Sequence, residues 1–213
     1  MKAFLLFLVF FLIGLAILLS SQYWNPLQVN SGSTKSPMKN NFSIKNAPRD
    51  SLQGKIASMS GSVNWLSRAA QKPVKLKTLI QIQQGEEVST GSNSTAIIRF
   101  QNFSSLLLHP DTHVSIIQLL PQNFVFEQDK GSVHYENTGR VPVSIKALDV
   151  VTFITSGFAT ITVDPKTQKV TVAVDHGTAK EGYEDLQNTS NVVTVTAGQT
   201  FVFDQTNKIG TVE

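Results

Sequence analysis

From Leu52 onward the apolar residues recur at every second position in short runs, and this period of two constrains the chain more than any other feature. Successive side chains of a strand point to opposite faces, so alternate apolar residues line one buried side, whereas a helix needs spacings of three and four. Ala96, Ile98 and Phe100 share a face in this way, as do Val143 and Ile145, then Val151 and Phe153, then Ile161 and Val163. Val170, Val172 and Val174 follow, then Val193, Val195 and Ala197, and finally Phe201 and Phe203. Turn-forming residues stand between the runs: Thr90-Gly91-Ser92, His109-Pro110-Asp111, Asp164-Pro165-Lys166 and Ala197-Gly198-Gln199. The pattern predicts an all-β domain over 51–213, a sandwich or barrel-like fold of about ten to twelve short strands, because stacked or closed sheets bury such faces. Asp129-Lys130-Gly131-Ser132-Val133 and Asp175-His176-Gly177-Thr178-Ala179 echo one another, but two copies do not make a solenoid.

The N-terminus is of another kind. Ala3 to Leu19 contains no charged residue, and as a helix it would extend about 25 Å, close to the roughly 30 Å of a hydrocarbon core. Tyr23 and Trp24 follow where amphipathic rings favour the headgroup level. The small-x-small triplet Gly14-Leu15-Ala16 lies inside the apolar run, not after it, so residues 1–21 read as an uncleaved transmembrane signal-anchor in preference to a signal peptide. Residues 22–50 are rich in Ser, Asn, Lys, Gln and Pro and read as a flexible tether. Lys2, Lys35 and Lys39 barely bias the orientation; export of the domain is expected from the anchor's position at the start of the chain.

Composition excludes several functions. A net charge of +3, spread without a basic block, gives no nucleic-acid footprint. The absence of Cys removes disulfides, thiolate catalysis, Cys-type zinc sites and lipoprotein acylation. No Gly-x-Ser-x-Gly, Ser-x-x-Lys or phosphate-cradling glycine loop occurs, so no catalytic, cofactor or metal residue is assigned. His109 and His113 could converge in a turn with His134 and Glu136 around a metal, but solvent-facing histidines are the simpler account. Glu86-Glu87 and Glu184-Asp185 are adjacent pairs, whose members point to opposite sides of a strand or lie in a loop, so neither forms an acid/base dyad by itself. The sequons at Asn41, Asn93, Asn102 and Asn188 would accept glycans only in a eukaryotic secretory route.

Gly54, Gly61-Ser62-Val63-Asn64-Trp65 and above all the stretch from Gly85 to Ala96 (GEEVSTGSNSTA) carry a likeness to a known family. With Ile98-Arg99-Phe100, Ser104 to Leu108, Pro110, Thr112 and Val114, the glycine turns at Gly131 and Gly177, and the Ala-Gly-Gln turn within Val193–Gln199, the chain resembles the FecR domain family of extracytoplasmic bacterial domains. Phe103 replaces the family's usual turn glycine, and Gly157-Phe158-Ala159-Thr160 is the nearest remnant of its Gly-Thr-x-Phe signature. The resemblance implies a binding or scaffolding role without chemistry. With only Met1-Lys2 ahead of the apolar run, direct sigma regulation of the kind exerted by the regulator that names the family is not expected. The expected protein is therefore a single-pass inner-membrane protein with its C-terminal domain outside the cytoplasm, binding an envelope protein or glycan with no cofactor. The alternatives are a self-associating envelope structural protein and an envelope metal-binding enzyme using His109, His113 and His134.

Overall fold

The computed structural model describes residues 50–100, 104–139 and 141–213, which belong to one compact unit extending from Phe42 to Glu213. The signal-anchor, most of the tether, and the sequons at Asn41 and Asn102 lie outside the described residues, among which no helix is long and apolar enough to cross a membrane. The strands are β1 (Gly54–Ser60), β2 (Val63–Leu66), β3 (Val74–Lys75), β4 (Gln81–Ile82), β5 (Glu87–Thr90), β6 (Thr95–Phe100), β7 (Ser104–Leu108) and β8 (His113–Leu120). They continue with β9 (Asn123–Asn137), β10 (Val143–Ala147), β11 (Val150–Asp164), β12 (Lys169–Glu184), β13 (Ser190–Thr196), β14 (Thr200–Asp204) and β15 (Ile209–Val212). The all-β expectation holds. The strand number is larger than expected, and hydrogen bonding joins all 15 into one open sheet.

The continuity of that sheet rests on three strands, β9, β11 and β12, of 15, 15 and 16 residues. One arm of each belongs to a layer running β3-β2-β5-β8-β9-β10-β11-β12-β13; the other arm belongs to a layer running β4-β1-β6-β7-β9-β11-β12-β14-β15. All neighbours are antiparallel except β9 and β10. The layers face one another across a shared core: Phe100 of one lies 5.7 and 5.3 Å from Phe124 and Phe126 of the other. At the far end Tyr183 stands 5.7 and 5.3 Å from Phe201 and Phe203.

A strand that serves both layers must keep its apolar residues inward on each arm, and strict alternation through a sharp bend does not guarantee this. Each long strand resets its phase at a corner marked by two exposed residues. β9 buries Phe124, Phe126 and Gln128, exposes Asp129 and Lys130, then buries Val133, Tyr135 and Asn137. β11 buries Val150, Thr152 and Ile154 before Thr155-Ser156 and Ala159, Ile161 and Val163 after; β12 buries Val170, Val172 and Val174 before Asp175-His176 and Ala179 and Glu181 after. The β11–β12 register slips between Ile154 and Gly157 and again between Phe158 and Ala159, as bulges do when they bend a strand. Gly157 and Gly177 pair at this corner with φ of 142° and 80°, and a Cβ on either would run into the other strand's backbone. Gly131 and Gly177 are thus corners within strands, not the turns between strands that the sequence suggested.

Buried polar groups brace the inside of the bends. The Asn137 amide donates to the carbonyls of Val141, Ile154 and Thr155 at 3.0, 3.1 and 3.0 Å, while its oxygen accepts from Ser104 Oγ at 3.0 Å. Gln128 donates to the carbonyls of Gly131 and Ile161 at 2.9 and 3.0 Å and accepts from the Tyr135 hydroxyl at 3.2 Å. These bonds satisfy backbone acceptors that the interrupted ladder leaves over.

Candidate interaction surface

The histidines expected to have metal-binding potential lie apart in their contacts. His113 on β8 is bracketed by Glu87 on β5, 3.0 Å from Nε2, and Asp129 on β9, 2.6 Å from Nδ1. Its two ring nitrogens point to different carboxylates, which makes it a cross-strand link. His134 on β9 contacts Thr160 Oγ1 at 3.1 Å and Asp175 at 3.5 Å, and its ring lies beside Phe158, itself beside His176. Glu136 accepts from Ser105 Oγ at 2.8 Å, and the His109 carbonyl accepts from Thr90 Oγ1 at 2.6 Å. Among the described residues no group of three metal-ligating side chains is arranged so that it could hold a metal ion.

Each acidic pair divides between a strand and a loop, Glu87 and Glu184 lying in β5 and β12 and Glu86 and Asp185 just outside them. Glu86 is buried, accepting from Trp65 Nε1 at 3.0 Å and the Gln83 amide at 2.9 Å, and burial raises its pKa against these bonds. Asp185 accepts from the amides of Thr189 and Gln187 and from the Asn191 side chain, and these bonds hold its pKa below the usual carboxylate value. Asn93 and Asn188 occupy turns with φ of 58°.

Sequence reasoning passed over Glu181. It is fully buried on the inner side of β12, accepts from Thr152 Oγ1 at 2.6 Å, and leaves Oε1 without a hydrogen bond. Desolvation pushes its pKa up to about 7. This buried pair also corrects the phase of β11: Thr152 takes the inward place, so Val151 and Phe153 share the outer face, with Val151 47% exposed. The local pattern is ambiguous there, since Val150 and Ile154 offer as apolar a face as Val151 and Phe153.

Outward Val151 helps line a concavity. Across the outer face, Lys146, Val151, Gly182 and Val192 stand in one cross-strand row on β10, β11, β12 and β13. Gly182 has no side chain, and between Val151 and Val192 it floors an open groove of about 450 Å³ whose rim includes Leu148, Lys146 and Lys208. Lys146 pairs with Glu127 at 2.7 Å and Lys208 with Asp149, and with Glu184, Ser190 and Asn191 they make a polar rim around an apolar floor. Val192 is 72% exposed on β13, whose only strand neighbour among the described residues is β12. An apolar groove beside an open strand edge is suited to holding a polypeptide segment.

No protein-family model matches the chain, and no curated protein matches it in sequence. Among solved structures, two from Parabacteroides distasonis ATCC 8503 share its fold, each described as a "putative anti-sigma factor". Each overlays 60% of this chain on 58% of that one, with a TM-score of 0.51 and 11% identity. The match therefore spans less than two thirds of those chains, and at such identity the likeness is one of fold.

Proposed function

We propose that this protein is a non-enzymatic binding or scaffolding module of the bacterial cell envelope, FecR-like, anchored in the inner membrane by residues 1–21 and acting outside the cytoplasm in signalling. The fold shared with the anti-sigma-type proteins carries this reading, and the FecR-type residues from Gly85 to Ala96 support it from the sequence side. The apolar run from Ala3 to Leu19 supports the anchor. A protein partner suits the groove better than a glycan: its floor is Gly182 between two valines, and Tyr183 is engaged with Phe201 and Phe203 and offers no open stacking platform.

The test is a full-length chain in a bacterial host, with a reporter active only outside the cytoplasm fused after Glu213 and a photo-cross-linking residue at Val151. An active, membrane-bound reporter and a discrete cross-linked protein are expected. A silent reporter would overturn the location, and cross-linking no stronger than at exposed Leu79 on another part of the surface would overturn the groove.

A further inference from the structure

The open sheet has four edges among the described residues, and three are blunted. β3 and β4 are two residues long, and β3 sits among Lys72, Pro73, Lys75 and Lys77. β15 has four residues, flanked by Lys208 and Glu213. β13 has seven, Ser-Asn-Val-Val-Thr-Val-Thr, with no charge, proline or bulge. Exposed edges of this length normally carry such a device because they template pairing with another chain.

We propose that β13 pairs antiparallel with β13 of a second copy about a two-fold axis through Val192. The register follows from which backbone groups are free. The bonds from the Ala197 amide to the Gly177 carbonyl and from the Asp185 amide to the Thr189 carbonyl, both 3.1 Å, turn the odd-numbered residues of β13 toward β12. Ser190, Val192, Thr194 and Thr196 therefore present their backbone groups outward, and the Thr196 amide is already capped by Gln199 Oε1 at 2.9 Å. The register using all three uncapped residues sets Val192 against Val192 and Ser190 against Thr194, each pair exchanging two backbone hydrogen bonds. It places the 72%-exposed Val192 side chains together on the outer face.

Charge supports the same register. On β12, Glu184 stands opposite Ser190 and Lys180 opposite Thr194, both exposed on the outer face. The two-fold extends each row as Glu184, Ser190, Thr194 and Lys180 of the other copy, about 14 Å between the end Cα atoms at three strand spacings. The two long side chains can lean toward one another above Ser190 and Thr194, which shortens the distance between their opposite charges. Each dimer gains two such opposite-charge rows, and the seam itself brings no like charges together.

The chain has no native Cys, so single-cysteine variants of the full-length protein in detergent test the seam directly, independently of where the protein resides. Opposed residues of a hydrogen-bonded pair lie about 5.5 Å apart at Cα, within disulfide reach. Under mild oxidation V192C is expected to form a disulfide dimer. T194C alone is not, because its own copy in the partner lies about 13 Å away along the strand. Mixed S190C and T194C chains are expected to cross-link. The charge reversal E184K is expected to reduce V192C dimer formation severalfold, and adding K180E to restore it. If V192C cross-links no faster than I209C on the β15 edge, and the unmodified chain sediments as a monomer, the seam is refuted and the edge is left to a strand from a different protein.

Discussion

Replacing Glu181 by Gln isolates the effect of one buried carboxyl on stability. Desolvation by burial pushes the Glu181 carboxyl up to about 7, against 4.5 for an exposed glutamate. Between those values the folded state holds a proton that the unfolded state has lost, so this group's contribution to stability is greatest below about pH 4.5, falls as pH rises, and levels off above about pH 7. A gap of about 2.5 at about 1.4 kcal/mol for each pH unit corresponds to roughly 3 kcal/mol, as an order of magnitude. Gln resembles the protonated acid: its oxygen can accept from Thr152 Oγ1, and its amide takes the place of an oxygen that had no partner. The variant should match the parent near pH 4.5 and exceed it by up to about 3 kcal/mol at pH 8. Urea denaturation followed by circular dichroism from pH 4.5 to 8 measures both curves. Glu86, also raised by burial, contributes a slope of the same sign, so the variant keeps a residual slope. Parallel curves for parent and variant, or a variant less stable at pH 8, would show that Glu181 is not held protonated by its surroundings.

Three further outcomes follow from the same geometry. Asn137→Ala removes the amide that donates to the carbonyls of Val141, Ile154 and Thr155 and should cost about 2–4 kcal/mol of stability, read as a lower urea midpoint at unchanged slope. Gly157→Val drives a side chain into the His176 carbonyl at a φ that L residues rarely adopt and should prevent accumulation of folded protein, whereas Gly182→Ala, with its nearest neighbour 3.8 Å away, should shift stability by less than about 0.5 kcal/mol. Asp164, Asp185 and Asp204 have carboxyls lowered by hydrogen bonds within their turns, chiefly from Thr167, Thr189 and Asn207. Their contribution is present above about pH 3.8 and lost as pH falls through the lower folded values, so changing all three to Asn should flatten the acid limb of a circular-dichroism titration.

How far the fold could be read depended on whether each signal was local. The alternation at Ala96, Ile98 and Phe100 and at Val170, Val172 and Val174 needed only neighbours two residues away, and all six are buried. Val151 and Phe153 face outward although they alternate as inward residues would, because Val150 and Ile154 alternate equally well and the Thr152–Glu181 hydrogen bond on their face joins residues 29 apart. The echo between Asp129–Val133 and Asp175–Ala179 was visible, but its meaning required the partner strands: both segments are places where a strand leaves one layer for the other. Cutting the chain at such glycines yields shorter strands than the molecule has. The groove was illegible for a related reason, since its floor is the absence of a side chain at Gly182 between valines 41 residues apart in sequence.

The corners also account for where the sheet stays open. β9, β11 and β12 each span both layers, and β13 with β14 does the same with a break at Gly198, since β13 flanks one arm of β12 and β14 the other. The break is held by the amide of Gly198 donating to the Val174 carbonyl at 2.8 Å and the amide of Val174 donating to the Gln199 carbonyl at 3.1 Å. The next strand in this progression would have to cover both β13 and β14. β15 covers β14 from Phe201 to Asp204, and no described strand lies beyond β13. One layer is therefore completed by the chain itself while the other ends on an uncharged edge of seven residues. A second copy placing its own β13 there would continue that layer across the axis and supply the missing arm with a strand already suited to it.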